Sequence, residues 1–407
     1  VWERLSVVVA GRRSWLVALA IVVVSGALMT LSGGNSAADQ SPVSVPGSSE
    51  SARAAAALAQ FPGGDAPAAI LVATRRDGSP LLSADLAAVE QARDRMQRAS
   101  QALSGAVSPV ITSADGIAAI TTVPLSAALS GFQLSDAVKA LRAAAADGLP
   151  TELTAHVTGG PAFGADIANA FSGANLTLLA VTALVVALLL IATYRSPVLW
   201  LVPLIVIGFA DRVATALGTV VAEATGVVFD GATSGITSVL VFGAGTNYAL
   251  LLISRYREEL RNDTDHRAAL QRAMRAAGPA ILASNATVVL ALLTLTLAVT
   301  PSTRSLGVCG ACGLVVAAVF ALFVLPPLLA LCRRGVFWPF IPRAGDPQST
   351  ATDVWHRVAA AVARRPGPVC AVAITVLVAL AAGLLGTPVG LSQTEQFRIR
   401  ADSVAGF

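Results

Sequence analysis

Charge is what this chain lacks most. Only 13% of its 407 residues are Asp, Glu, Lys or Arg, where soluble domains carry about 25%. Histidine occurs only at His156, His266 and His356. That scatter gives no metal-ligand spacing. The four cysteines, Cys309, Cys312, Cys332 and Cys370, lie in or beside apolar runs, so no disulfide framework is implied. Cys309-x-x-Cys312 has the spacing of a redox or metal pair. Its setting, Gly307-Val308-Cys309-Gly310-Ala311-Cys312-Gly313, reads instead as a small-residue packing face, with cysteine as a small buried hydrophobe. Basic residues are not interleaved with aromatics, so the net charge of +4 does not point to nucleic acid. Gly243-x-Gly245 lacks a preceding strand and a following Lys-Ser/Thr, which excludes a phosphate loop. No nucleophile, base and orienting acid converge by spacing, so an enzyme is not expected.

What is present is apolar: 55% of the residues are hydrophobic. The organising stretch is 239–253, an apolar run carrying Asn247 and Tyr248 side by side. It breaks at once into Ser254-Arg255-Tyr256-Arg257-Glu258-Glu259-Leu260. Polar groups inside a bilayer are expensive and mark function. Gly243, Ala244 and Gly245 would let a neighbouring helix approach closely.

Taken in order, the chain predicts a short lead and a first span over 15–31. A secretory signal peptide ending near Ser36-Ala37-Ala38 is the competing reading; the length of the apolar run and the spans that follow favour a transmembrane helix. Residues 32–174 change character. Helices are expected over 49–60, 84–103 and 136–146, and strands over 68–74, 107–112, 117–124 and 153–158. That alternation predicts a small α/β domain of split βαβ, ferredoxin-like type. Further spans are expected over 176–192, 198–222, 234–253, 279–299 and 306–332. An arginine-rich amphipathic helix over 353–365 suits the inner membrane surface, and a seventh span covers 366–385.

Orientation follows from charge. Arg12, Arg13, Arg195, the arginines from Arg255 to Arg275, Arg333, Arg334 and those from Arg357 to Arg365 fall on one side if every span is real. That side is the cytoplasm. The expected architecture is an α-helical polytopic protein of the cytoplasmic membrane, N-terminus inside, with an extracytoplasmic domain between the first two spans. Its parts are a cytoplasmic lead and first span (1–31), an outer porter-like α/β domain (32–174), a five-span bundle (175–332), a cytoplasmic linker with amphipathic helix (333–365), a seventh span (366–387), and the truncated start of a second outer domain (388–407). This last part echoes the segment after the first span, as in parallel transporter repeats.

The local motifs narrow the reading. Tyr194-Arg195-Ser196-Pro197, Val241-Phe242-Gly243-Ala244-Gly245-Thr246, Ser254-Arg255-Tyr256-Arg257-Glu258-Glu259-Leu260, Val336-Phe337-Trp338-Pro339 and Leu391-Ser392-Gln393-Thr394-Glu395-Gln396-Phe397 resemble the mycobacterial membrane protein large (MMPL) family of the resistance-nodulation-division superfamily. The resemblance covers essentially the whole chain. It implies export of lipids or hydrophobic small molecules from the inner membrane, driven by the proton motive force with no bound cofactor. It also implies a second set of spans, so a C-terminal-half polypeptide or a second copy is the expected partner.

The resemblance also implies an Asp-Tyr proton-relay pair in the fourth span, where this chain has Asn247-Tyr248. An amide cannot carry a proton as a carboxylate can. Asn247 is therefore expected to hydrogen-bond Tyr248 or a polar residue of the fifth span, namely Ser284, Asn285 or Thr287. Asp211, paired with Arg212 in the third span, is the nearest candidate for a replacement acid, the other being an acid on the second half. Its competing readings are a structural ion pair or a residue near the outer water. Glu223 and Asp230 read as solvated residues at the outer end. Two other functions are carried forward. One is a non-pumping lipid- or sterol-sensing scaffold. The other is an assembly subunit of a larger transporter. A channel is disfavoured by the large outer domain.

Overall fold

The computed structural model describes residues 2–31, 46–61, 66–99, 103–194, 196–332, 334–339, 341, 351–386 and 401–407. The expected cleavage site at 36–38, Arg195, Arg333 and the motif at 391–397 lie outside them.

The lead and first apolar run form α1 (Trp2–Ala10) and α2 (Ser14–Leu31), joined by a turn in which the Ser14 N–H donates to the Gly11 carbonyl. In α3 (Glu50–Leu58) the cap is Ser49, whose hydroxyl accepts from the Ala52 N–H at 3.2 Å, satisfying one of the orphan donors of the first turn.

The α/β unit follows as β1 (Ala68–Arg75), α4 (Ser83–Ala99), β2 (Ile111–Thr112), β3 (Ala118–Pro124), α5 (Gly131–Ala146) and β4 (Leu153–Thr158). Its four strands are all antiparallel, in the order β2-β3-β1-β4. Burial alternates along β1 and β3, so one face meets a core and the other does not. Leu71 of β1, Val123 of β3, Met96 of α4 and Leu141 of α5 fill that core. The strand expected over 107–112 shrinks to two residues. Pro109 has no N–H for a ladder, and the chain before it is held by single bonds, such as Ser108 N–H to Thr122 O at 3.0 Å.

The next helix, α6 (Gly160–Tyr194), starts against the α/β unit and runs on as an apolar rod of 35 residues. Then come α7 (Leu201–Thr225), α8 (Gly231–Asn262), α9 (His266–Thr294) and α10 (Pro301–Val319). Gly226, at φ +70°, ends α7 in the left-handed region that glycine adopts without strain. The sixth apolar run contains a π-helical turn at Phe320–Val324 before α11 (Leu325–Cys332). Pro326 and Pro327 supply the cause. Neither has an N–H, and each ring crowds the carbonyl four residues back, so the preceding turn widens. Beyond lie α12 (Ala351–Arg364), α13 (Pro366–Ala382), bent from it by 97°, and α14 (Asp402–Ala405).

Among the described residues, four helical stretches are long and apolar enough to cross a membrane: Leu201–Thr225, Gly231–Asn262, His266–Leu297 and Pro301–Cys332. The bent α12–α13 pair would make a fifth, and Ser14–Thr30 and Leu179–Tyr194 are shorter apolar helices. The chain is a membrane protein, and its described residues are mostly helical with one small sheet.

Three of the quoted motifs meet at the arginine-rich end of the bundle. The Ser196 hydroxyl donates to the Val336 carbonyl at 2.8 Å, and the Tyr256 and Phe337 rings pack with centroids 5.8 Å apart. The Arg257 guanidinium reaches the Tyr194 carbonyl.

Candidate intramembrane site

Small residues set how closely the central helices approach. A Cβ on Gly313 of α10 would lie 2.8 Å from Thr237 Cγ2 and 3.0 Å from Val241 Cγ2 of α8, and 3.7 Å from the Ala214 Cβ of α7. A Cβ on Gly245 of α8 would lie 3.2 Å from Ile207 of α7 and 3.7 Å from Ala317 of α10. These contacts fix the facing stripes. On α7 the stripe reads Ile207, Asp211, Ala214, Thr215, Gly218, recurring at helical spacing. On α8 it reads Asp230, Thr237, Val241, Gly245.

Asp211 therefore faces the seam between α8 and α10. It is 2% exposed. Its Oδ2 lies 3.3 Å from an Arg212 guanidinium nitrogen, while the Arg212 side chain is half-exposed. Its Oδ1 is buried and has no hydrogen-bond partner among the described residues. Toward the α/β end, the Thr215 hydroxyl donates to the Asp211 carbonyl and the Thr219 hydroxyl to the Thr215 carbonyl. All three residues are buried at i, i+4 and i+8. That spacing was visible in the sequence, but hydroxyls in an apolar run also read as helix back-bonding.

Asp230 overturns its expected role. It is fully buried, not solvated, at 0% exposure. Its Oδ1 caps α8 by accepting from the Thr233 N–H at 2.7 Å, and the chain folds the cap inward because Phe229 packs on Gly218, Ala222 and Cys309. Its Oδ2 has no partner among the described residues, and neither does the Thr237 hydroxyl, in a residue 3% exposed. Glu223 is exposed.

Tyr248 and Asn285 are brought together: the phenol donates to Asn285 Oδ1 at 3.0 Å, and both are buried. Asn247 is not part of that contact. One residue is about 100° of helix rotation, so Asn247 is turned to an exposed face while Tyr248 points inward. Ser284 and Thr287 are also exposed, the Thr287 hydroxyl bonding the Ala283 carbonyl of its own helix. The expected single cluster thus separates into a Tyr248–Asn285 pair between α8 and α9, an Asp211–Arg212 pair on α7, and exposed Asn247, Ser284 and Thr287.

Cys309 and Cys312 are free thiols, the first buried against Phe229.

A bundle of long apolar helices with an acid, an amide and a phenol buried inside it, joined to a small antiparallel α/β unit, defines a polytopic membrane protein with polar groups buried between its helices. The chain belongs to the MMPL family, which it matches over residues 44–369. It is 36% identical over 406 residues to the membrane protein ActII-3 of Streptomyces coelicolor, covering 97% of this chain and 56% of that one. It is 41% identical over 178 residues to the apo-petrobactin exporter of Bacillus anthracis, covering 44% of this chain and 24% of that one. It is 38% identical over 138 residues to the acyltrehalose exporter MmpL10 of Mycobacterium tuberculosis, covering 34% and 14%. The chain thus spans about half the length of the ActII-3 relative.

Proposed function

We propose that this chain is the N-terminal half of an exporter in the cytoplasmic membrane, moving lipids or hydrophobic small molecules with energy from the proton gradient. The observation that carries the reading is Asp211, a carboxylate buried inside a membrane helix with one oxygen unpartnered. Such a group is costly unless it exchanges a proton or is otherwise compensated. Its companion is Arg212, which lowers the cost of the charged form; the Tyr248–Asn285 pair, separate from it, holds α8 to α9. Relatives named as exporters support the transport reading.

In this proposal the α/β unit is an outer ferredoxin-like porter domain. Its βαββαβ order and the antiparallel β2-β3-β1-β4 sheet support that assignment. The arginine-rich ends of the bundle face the cytoplasm, as does the N-terminus. Asn247, Ser284 and Thr287 are exposed on α8 and α9 at membrane depth. Polar groups there are sheltered by protein, so this face is covered by the helices of a C-terminal half.

The test is efflux of a fluorescent lipid from vesicles holding the complete assembly. An imposed proton gradient should drive efflux, and Asp211→Asn should abolish the dependence. Gradient-driven efflux that persists unchanged in Asp211→Asn removes Asp211 from the mechanism. Lipid binding with no gradient-driven efflux in the wild type would make the chain a scaffold.

A further inference from the structure

We infer that protons reach Asp211 through a buried oxygen lane between α7, α8 and α10, entered at Asp230 and handed on by Thr237. The inference rests on the proton-coupled reading above and gives it a route. Three buried oxygens carry it: Asp230 Oδ2, Thr237 Oγ1 and Asp211 Oδ1, none with a hydrogen-bond partner among the described residues. Such a group costs about 1–3 kcal/mol if nothing satisfies it. Three on facing helix stripes are hard to account for as independent defects.

The packing contacts place them in order. Phe229, beside Asp230, sits on Gly218 of α7. Thr237 and Ala214 both adjoin Gly313. Asp211 is the next turn along, between Ala214 and Ile207, the latter touching Gly245. From Asp230 the route therefore runs along α7 past Thr219 and Thr215 to Asp211. Glycine at 313 leaves the Thr237 side chain its space. Each threonine of α7 spends its proton on a backbone carbonyl and keeps its lone pairs to accept. The Thr237 hydroxyl has its proton uncommitted. Water bridging these oxygens relays a proton by hydrogen-bond exchange: one proton enters the lane as another leaves it for Asp211, and charge is conserved at every step. The other titratable groups on the packed elements are Arg212 and Glu223 of α7, Arg304, Cys309 and Cys312 of α10, and, on α8, Tyr248 and the charged run 255–261 at its far end. Only Arg212 contacts Asp211.

The experiment is infrared hydrogen–deuterium exchange on the full chain in lipid vesicles. It follows the carbonyl band of protonated Asp211 after the outside is switched to D2O, and Asp211→Asn identifies the band by its loss. Asp230→Asn keeps the helix cap, since asparagine caps as well as aspartate, but removes the acid. Thr237→Val keeps the shape and removes the hydroxyl. Both should slow exchange at Asp211 by about tenfold or more, and Thr237→Ser should restore it. Should Asp230→Asn fail to fold, the Thr237→Val and Thr237→Ser pair carries the test alone. Wild-type exchange in both Asp230→Asn and Thr237→Val overturns the lane, as does a band that never forms or that answers to sodium and not to protons. Slowed exchange in a protein whose efflux ignores the proton gradient leaves the lane standing and removes the coupled function. Gradient-driven efflux with unaltered exchange removes only the lane.

Discussion

The Nδ1 of His156 lies 2.6 Å from Oδ1 of Asp402, although 246 residues separate them. Asp402 also accepts from the Val157 N–H at 3.0 Å and stands 2.9 Å from the Arg142 guanidinium. Arg142 in turn holds Asp166 through two nitrogens, at 2.6 and 2.8 Å. The segment 401–407, which follows the last apolar helix, therefore closes the free edge of β4. Phe407 adds an edge-on contact with the Phe163 ring. An exposed strand edge invites unwanted pairing, and covering it is one remedy.

Replacing Asp402 with alanine should release this segment. The Val157 N–H loses its acceptor and Arg142 one of its two acids. The expected loss is about 1–3 kcal/mol of local opening free energy. Hydrogen exchange at the Val157 amide and across 401–407 measures it directly.

Acid should release the same segment. Burial works to raise the Asp166 pKa, but hydrogen bonds from Arg142 and Ser403, with the Arg142 charge, outweigh it and hold the group below its ordinary 3.8. A depressed carboxylate contributes stability above its unfolded pKa and loses it as pH falls through the folded value. Protection of 401–407 should therefore be flat from neutrality to about pH 4 and fall below that. Exchange measured across a pH series, corrected for the intrinsic rate, decides it.

Gly313→Leu should separate α8 from α10. Even the first added carbon would meet Thr237 and Val241, and overpacking of this kind costs about 1–3 kcal/mol. A lowered thermal midpoint in detergent is expected. Gly335→Ala, where nothing lies within 4 Å of an added carbon, should leave the midpoint where it is.

Tyr248→Phe removes the donor to Asn285 and leaves the ring. Hydrogen bonds between membrane helices average about 0.6 kcal/mol and reach about 1.7. A stability loss within that range is expected by steric-trap or detergent unfolding. A loss well beyond it would mean that the phenol supports more than the α8–α9 contact.

Much of this was legible along the chain. Strands β1, β3 and β4 lie within a residue of the expected ranges because their alternation is local. Four apolar runs became long helices because their length and composition decide that without reference to neighbours. The segment 107–112 failed as a full strand because Pro109 interrupts its donors. Asp230 was misread because its position at a helix start says nothing about what folds over it; Phe229 and Gly218 decide that, from opposite sides of a turn.

The residues alone determined that the chain enters a membrane, where its apolar helices lie, which strands alternate and which family it joins. These depend on composition and short-range periodicity. Tertiary structure decided which polar side chains share a space. Tyr248 met Asn285 while Asn247 turned away, and Asp211 came to face the seam lined by Thr237, because helix rotation and the small residues at 245 and 313 select partners that sequence distance does not reveal.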